Sequence, residues 1–131
     1  MGYFNQYVRA ESLEEAYGLY QKKNNFVLGG MLWLKMRKRP FGTAIDLSDL
    51  GLDQIEEDEK EFRIGAYVSL RELETNEALN TYTKGAFAES VKHIVGVQFR
   101  NVATVGGSLW GRYGFSDVMT IFRAMGAKVQ L

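Results

Sequence analysis

Two adjacent glycine pairs are the residues in this chain whose type and spacing could do chemistry. Gly29-Gly30 lies in LGGMLWL (residues 28–34) and Gly106-Gly107 in VGGSLWG (residues 105–111). Glycine inside a strand costs stability, because the unfolded chain is freer and no side chain packs. Bare backbone must therefore serve a purpose at both places. Consecutive glycines at a strand end let successive N–H groups converge on one point, forming a nest for an anion such as a phosphate. Two such loops face to face would clamp a diphosphate from both sides. The plainer alternative for either pair is a structural turn, although one tight turn ordinarily needs one glycine. Neither pair fits the G-x-G-x-x-G dinucleotide fingerprint or the P-loop pattern ending in Gly-Lys-Ser/Thr. Lys35, Arg37, Arg100 and Arg112 lie close in sequence to the pairs and could assist an anion; solvated surface cations are the plainer reading of Lys35 and Arg37. The Leu-Trp that follows each pair reads as an apolar anchor fixing the exit of its loop.

The elements that must position these loops are partly legible. Ser12-Leu13-Glu14-Glu15 has the form of a capping box, and Leu13, Ala16, Tyr17 and Tyr20 recur at helical spacing, predicting a helix from Ser12 to about Lys22. Phe26-Val27-Leu28 reads as a short buried strand stopped by the first glycine pair. A helix or extended turn over Leu32 to Met36 and a strand at Ala44 to Leu47 follow. The acidic run from Ile55 to Glu61 reads as a solvated hairpin tip, followed by a strand from Phe62 to Tyr67. Ser69-Leu70-Arg71-Glu72 is a second capping box opening a helix to about Glu74. A helix over Gly85 to Ile94 puts His93 on its solvent face. Val97 to Gly114, broken by glycines, is expected to be short pieces joined by irregular backbone. Ser116-Asp117 opens a helix through Met125, closed by Gly126, and Ala127 to Leu131 is expected to begin a strand. That strand would offer an unpaired edge and a route to self-association.

Composition narrows the chemistry further. The chain has 131 residues, 46% hydrophobic and 24% charged, the size of one compact domain. Sixteen basic and sixteen acidic residues cancel, so overall charge draws the protein to neither nucleic acid nor anionic membranes. With no cysteine, disulfides and thiolate metal or iron–sulfur ligation are excluded within this sequence, and its one histidine cannot build a metal site alone. No apolar run approaches the ~20 residues of a membrane helix, no signal-peptide pattern opens the chain, and a cytoplasmic address is expected.

The segments FVLGGMLWLKMR, TAIDLSDLGLDQI, FRIGAYVSLREL, VGVQFRNVATVGGSLWGRYGFSDV and RAMGAKVQL occur in this order along nearly the whole chain. Together they resemble the FAD-binding domain (PCMH type) of the molybdopterin dehydrogenase family, which includes flavin subunits of xanthine dehydrogenase and carbon monoxide dehydrogenase. The most specific element is RNVATVGG with Ser116-Asp117 shortly beyond it. The resemblance implies an α+β fold, with a small α/β lobe over about 1–55 and, over about 56–131, the start of a lobe built on an antiparallel sheet with flanking helices. FAD would lie between them. It implies a first cofactor loop of Asn25, Phe26, Val27, Leu28, Gly29, Gly30, Met31 and Leu32, and a second of Ala103, Thr104, Val105, Gly106, Gly107 and Ser108. Asp117 would meet the ribose on the adenosine side, and Ile94 would pack near the cofactor. Asp117 also has a plain reading as a helix-start residue, and the two are compatible.

Met31 and Leu32 stand where many relatives have a hydroxyl and an acid, so backbone donors survive in the first loop but side-chain donors do not. Ser108 stands where asparagine is common and keeps a hydroxyl. By this comparison the first loop is expected to be the weaker of the two. The family's domain continues well beyond the position of Leu131, through a part that contacts the isoalloxazine ring. The leading expectation is therefore an FAD-binding subunit, or its N-terminal part, that passes electrons from iron–sulfur clusters on a small partner subunit to NAD or another acceptor. Substrate oxidation would belong to a molybdopterin-binding large subunit, and no side chain here would be an acid, base or nucleophile. Two alternatives stay open: a truncated assembly or docking module that has lost FAD, and a phosphate or nucleotide binder without redox function.

Overall fold

A strand buried on both faces organises the first part of the fold. In the computed structural model, which describes residues 3–131, β3 (Phe41–Asp46) buries Phe41, Thr43, Ala44 and Ile45. β1 (Phe4–Arg9) and β2 (Phe26–Val27) flank it, both parallel, giving the order β1-β3-β2. Tyr7 of β1 and Phe26 of β2 both pair with Ala44. Parallel strands cannot be joined by a tight hairpin, and α1 (Leu13–Tyr20) carries the chain from β1 to β2. β1 escapes sequence reading because it is an edge strand in which only Phe4 and Val8 are half-buried; main-chain pairing holds it, not an apolar pattern.

The cap of α1 works as predicted, with one displacement. The Ser12 hydroxyl accepts from the Glu15 N–H at 3.1 Å, while the Glu15 carboxylate reaches past Ser12 to the Glu11 N–H at 2.7 Å. Ala10, Ala16, Ile45 and Leu47 form the core of this part. A 3-10 turn, Leu34–Met36, occupies the segment read as a helix or extended turn.

β4 (Ile55–Glu57) and β5 (Phe62–Ile64) form an antiparallel hairpin. Its acidic tip is closed locally: the Asp58 carboxylate accepts from Lys60 and Glu61 N–H groups, and Arg63 bridges Asp58 and Glu61. β5 stops at Ile64 instead of Tyr67 because the chain turns there, with the Val68 N–H donating to the Gly65 carbonyl at 3.1 Å.

The remainder is helical: α2 (Leu70–Thr75), α3 (Glu77–Tyr82), α4 (Ala86–Val91), α5 (Val97–Val102), α6 (Val105–Trp110) and α7 (Asp117–Ala124). Val68, Leu70, Leu73, Val91 and Val118 are essentially inaccessible and form their common core, each burial contributing roughly 1.5–3 kcal/mol. The reciprocal capping box of Ser69 and Glu72 is present at α2, Ser116 caps α7, and Gly126 takes a φ of 64° just past α7's end. His93 is exposed, in the turn after α4.

Three expectations are corrected. The short pieces expected over residues 97–110 are two helices joined by Ala103 and Thr104, so the second glycine pair lies in the first turn of α6 and not at a strand end. α3 was not foreseen; it opens one residue after α2 closes, and Asn76 both ends the one and caps the other. Ala127 to Leu131 is exposed and forms no strand, so the proposed association through a terminal strand has no basis in the fold. Among the described residues no helix is long and apolar enough to cross a membrane.

Candidate functional site

The first glycine loop leaves β2 under tight control. The Leu28 N–H donates to the Ile45 carbonyl at 2.8 Å, continuing the ladder to the last residue before Gly29. Buried Asn25 fixes the strand's entry: its amide donates to the Leu19 carbonyl at 2.7 Å and its oxygen accepts from the Thr43 N–H at 2.8 Å. A Cβ on Gly42 would lie 2.5 Å from that oxygen, so glycine there makes room for the Asn25 amide. Asn25 is thus a structural pin within this loop. The Tyr67 hydroxyl donates to the Leu28 carbonyl and accepts from the Leu47 N–H at 3.0 Å. Burial pushes the Tyr67 phenol above its usual range, partly opposed by the Leu47 bond, and keeps the proton on the donor.

The second loop is strapped to the same segment. Val105 and Gly106 donate to the carbonyls of Val68 and Ala66 at 2.9 and 2.8 Å, and Leu70 donates to the Ala103 carbonyl at 2.9 Å. Residues 66–70 therefore hold the second loop by main chain and the first by the Tyr67 side chain. Close approach explains most of the glycines. A Cβ on Gly30 would overlap the Val102 carbonyl oxygen, and one on Gly106 would lie 2.8 Å from the Ala66 carbonyl oxygen. A Cβ on Gly29 would lie 2.9 Å from the Thr104 hydroxyl, which brings the two loops together directly. Bare backbone at these three positions serves chain-on-chain packing before it serves any ligand.

The free donors lie in the first loop, the one expected to be the weaker of the two. In the second loop the N–H groups of the glycine pair and of Ser108 are engaged: Gly106 with Ala66, Gly107 with the Thr104 hydroxyl at 3.1 Å, and Ser108 with the Thr104 carbonyl at 3.0 Å. The Ser108 hydroxyl also donates to the Thr104 carbonyl, at 2.9 Å. In the first loop, by contrast, the N–H groups of Gly29, Gly30, Met31 and Leu32 take part in none of the hydrogen bonds among the described residues. Met31 sits there at a φ of 58°, the left-handed turn that a run of backbone donors uses to curve about an anion. The loop with Met31 and Leu32 after its glycine pair is the one whose backbone donors have no partner among the described residues.

Between the loops opens a cleft of about 600 Å³, within the roughly 300–1,000 Å³ typical of small-molecule and cofactor sites. Of the residues predicted for the site, Phe26 to Leu32, Ile94, Ala103, Thr104, Gly106, Gly107, Ser108 and Asp117 line it. Asn25 and Val105 lie outside its wall, Val105 in the helical core. Arg37 is exposed, as a surface cation is expected to be, and it also lines the cleft, with its guanidinium 4.8 Å from the Phe26 ring centroid and 5.0 Å from that of Phe41. Arg100 is buried and turned to Glu74 at 2.8 Å and to the Ile94 carbonyl at 3.0 Å, so it reaches no anion in the cleft. Arg112 lies outside the wall too.

Sequence reasoning missed the aromatic wall. Trp33, Trp110, Tyr113 and Phe115 all line the cleft, and the two tryptophans are 53% and 62% exposed, so they are not the anchors of the loop exits. Leu32 and Leu109 pack on the core and do that work. The available signal was the density of aromatic residues around both glycine pairs, which a search for polar ligands passes over.

Residues 3–131 match the family described as the FAD binding domain in molybdopterin dehydrogenase. The chain is 29% identical to a protein named "Uncharacterized protein YgfM" from Escherichia coli K12 over 95% of this chain and 48% of that protein. It thus spans about half the length of this curated relative. The Cu,Mo-CO dehydrogenase in its cyanide-inactivated form superposes with a TM-score of 0.79 over 94% of this chain and 45% of that one, at 21% identity. Quinoline 2-oxidoreductase from Pseudomonas putida 86 gives 0.68 over 82% and 38%, also at 21% identity. Carbon monoxide dehydrogenase from Hydrogenophaga pseudoflava, lacking the Mo-pyranopterin moiety, gives 0.63 over 79% and 38%, at 26% identity.

Proposed function

This chain belongs to the family of FAD-binding domains in molybdopterin dehydrogenases, and from that premise we propose that its cleft holds FAD with the diphosphate between the two glycine loops. The observation that carries the reading is that the N–H groups of Gly29, Gly30, Met31 and Leu32 have no partner among the described residues, on a loop that lines the cleft and packs against the Thr104 hydroxyl. Backbone donors suit phosphate oxygens and need no cationic side chain. Thr104 accepts one bond from Gly107 and retains its own proton to donate. Asp117 offers a carboxylate to ribose hydroxyls, and Ile94 gives an apolar wall.

FAD supplies redox chemistry that no side chain of this protein offers. The chain's part is to bind, orient and shield it. In this reading the protein is the flavin subunit, or a portion of it, of a molybdopterin-dependent oxidoreductase. Electrons arrive from iron–sulfur clusters on a small partner subunit and leave to NAD or another acceptor, while a large molybdopterin subunit oxidises the substrate. The zero cysteine count supports such a division, because cluster ligands then belong to another chain.

The test is a titration of the purified chain with FAD, ADP and FMN, with FAD release on denaturation read by absorbance. FAD and ADP binding are expected. Gly107→Val places a branched side chain at the cleft wall, against the Thr104 hydroxyl 3.0 Å from its Cβ, and should weaken FAD at least tenfold. Unchanged affinity removes the second loop from the site. Failure of the unaltered chain to bind FAD favours the docking-module reading, which rests on the loss of polar side chains at Met31 and Leu32.

A further inference from the structure

Three exposed rings form a ladder at the cleft mouth. Tyr113 and Phe115 stack with centroids 5.2 Å apart and planes 18° apart, and Trp33 leans on Tyr113 at 5.4 Å and 42°. Phe115 remains 74% exposed, so the outer end of the ladder is open to water. The local chain is shaped for this arrangement. Arg112 takes a φ of 53°, turning the backbone sharply after α6, and Gly111 lets the Tyr113 ring lie against the helix end. A Cβ on Gly111 would stand 2.7 Å from the Tyr113 ring, although the helical φ of −60° at that position suits any residue. Trp33 comes from the other side, one residue after the run of free N–H groups. The ladder therefore joins the exits of both glycine loops.

We propose that this ladder is the stacking surface for the adenine ring of the bound dinucleotide, Phe115 presenting the face that the ring covers. The inference rests on the FAD reading above and adds to it the recognition of one end of the ligand. An open aromatic face gains both buried apolar area and ring stacking when a planar base covers it. FAD has a planar ring at each end, and the neighbouring chemistry selects between them. Asp117, two residues beyond Phe115, lines the same wall and accepts hydrogen bonds. A ribose attached directly to a base presents its two hydroxyls at a fixed distance from the ring. The ribityl chain of the flavin end is flexible and spreads its hydroxyls along its length. A short, rigid ring-plus-diol unit matches a stacking face and one nearby carboxylate.

The experiment measures affinities of the purified chain for ADP, FAD and FMN by calorimetry, for the unaltered protein, Phe115→Ala and Gly111→Ala. Phe115 is exposed and its removal leaves the core untouched, which far-UV circular dichroism checks. Phe115→Ala is expected to weaken ADP and FAD about tenfold each and to leave FMN unchanged. Gly111→Ala keeps every ring but displaces Tyr113, and should move ADP and FAD in the same direction by a smaller factor. Unaltered ADP affinity in Phe115→Ala, in a protein that binds FAD, overturns the ladder and leaves the FAD reading standing. A loss confined to FMN and FAD assigns the ladder to the other ring and also overturns it. A protein that binds neither ADP nor FAD overturns both.

Discussion

Val95 is a β-branched residue with a φ of 51°, in the left-handed region where its Cβ crowds the following carbonyl. It is 79% exposed, so no packing of its side chain compensates. Asparagine tolerates this conformation without the extra unfolded-state freedom of glycine. Val95→Asn is therefore expected to stabilise the protein by about 1 kcal/mol, seen as a higher urea midpoint at unchanged slope. An unmoved midpoint would show that the conformation carries no strain. The preceding residue, Ile94, lines the cleft, so a fall in FAD affinity accompanying the gain in stability would tie the strained turn to the site. At this scale the caps at Ser12, Ser69 and Ser116 were legible because donor and acceptor lie three residues apart. Asn25 and Tyr67 were not legible as pins, since the Asn25 oxygen bonds Thr43, eighteen residues away, and Tyr67 reaches back thirty-nine to Leu28.

Between elements, the pair of buried Arg100 on α5 and half-buried Glu74 on α2 joins two helices whose contact no sequence pattern announces. Burial works against the charged Glu74 carboxylate, but hydrogen bonds from Arg100 and Arg71 outweigh it and hold the group below its ordinary value. A carboxyl lowered in the folded state contributes stability above its unfolded value, roughly 4.3, and loses it as pH falls through the lower folded value. Thermal midpoints should therefore decline on acidification below about pH 4.3, with Asp46 and Asp58, also lowered, contributing to the slope. Arg100→Met leaves Glu74 paired with Arg71 and should lower neutral-pH stability by roughly 1–3 kcal/mol and make the decline shallower. An acid limb identical to the wild type's would mean the pair does not drive it. The same helices show why the helical character of residues 97–110 is not legible in the sequence. Gly96, Gly106 and Gly107 lower local helix propensity, yet α5 buries Arg100 and α6 buries Val105, and tertiary burial prevails over propensity. The hairpin and α7 were legible because their signals, a charged tip and a serine cap with a closing glycine, are local.

Across the whole molecule, the sheet part and the helical part keep separate apolar clusters, one around Ile45 and one around Leu73. What makes them one unit is residues 66–70, with the packing of Gly30 against Val102. The cleft is the seam between the parts, so whatever tightens the seam shapes the site. Urea unfolding followed by circular dichroism and by fluorescence of Trp33 and Trp110 should then give one coincident transition. Tyr67→Phe removes the hydroxyl that serves both Leu28 and Leu47 and leaves a half-buried carbonyl and N–H unpaired. A loss of roughly 1–3 kcal/mol is expected. Because Leu28 leads directly into the free donors of Gly29 to Leu32, FAD affinity should fall with it. FAD at a hundred times its Kd should raise wild-type stability by about 2.7 kcal/mol, and by less in the variant at the same concentration. Two separated transitions in the wild type would show the parts folding independently, and the seam would then need its ligand to close.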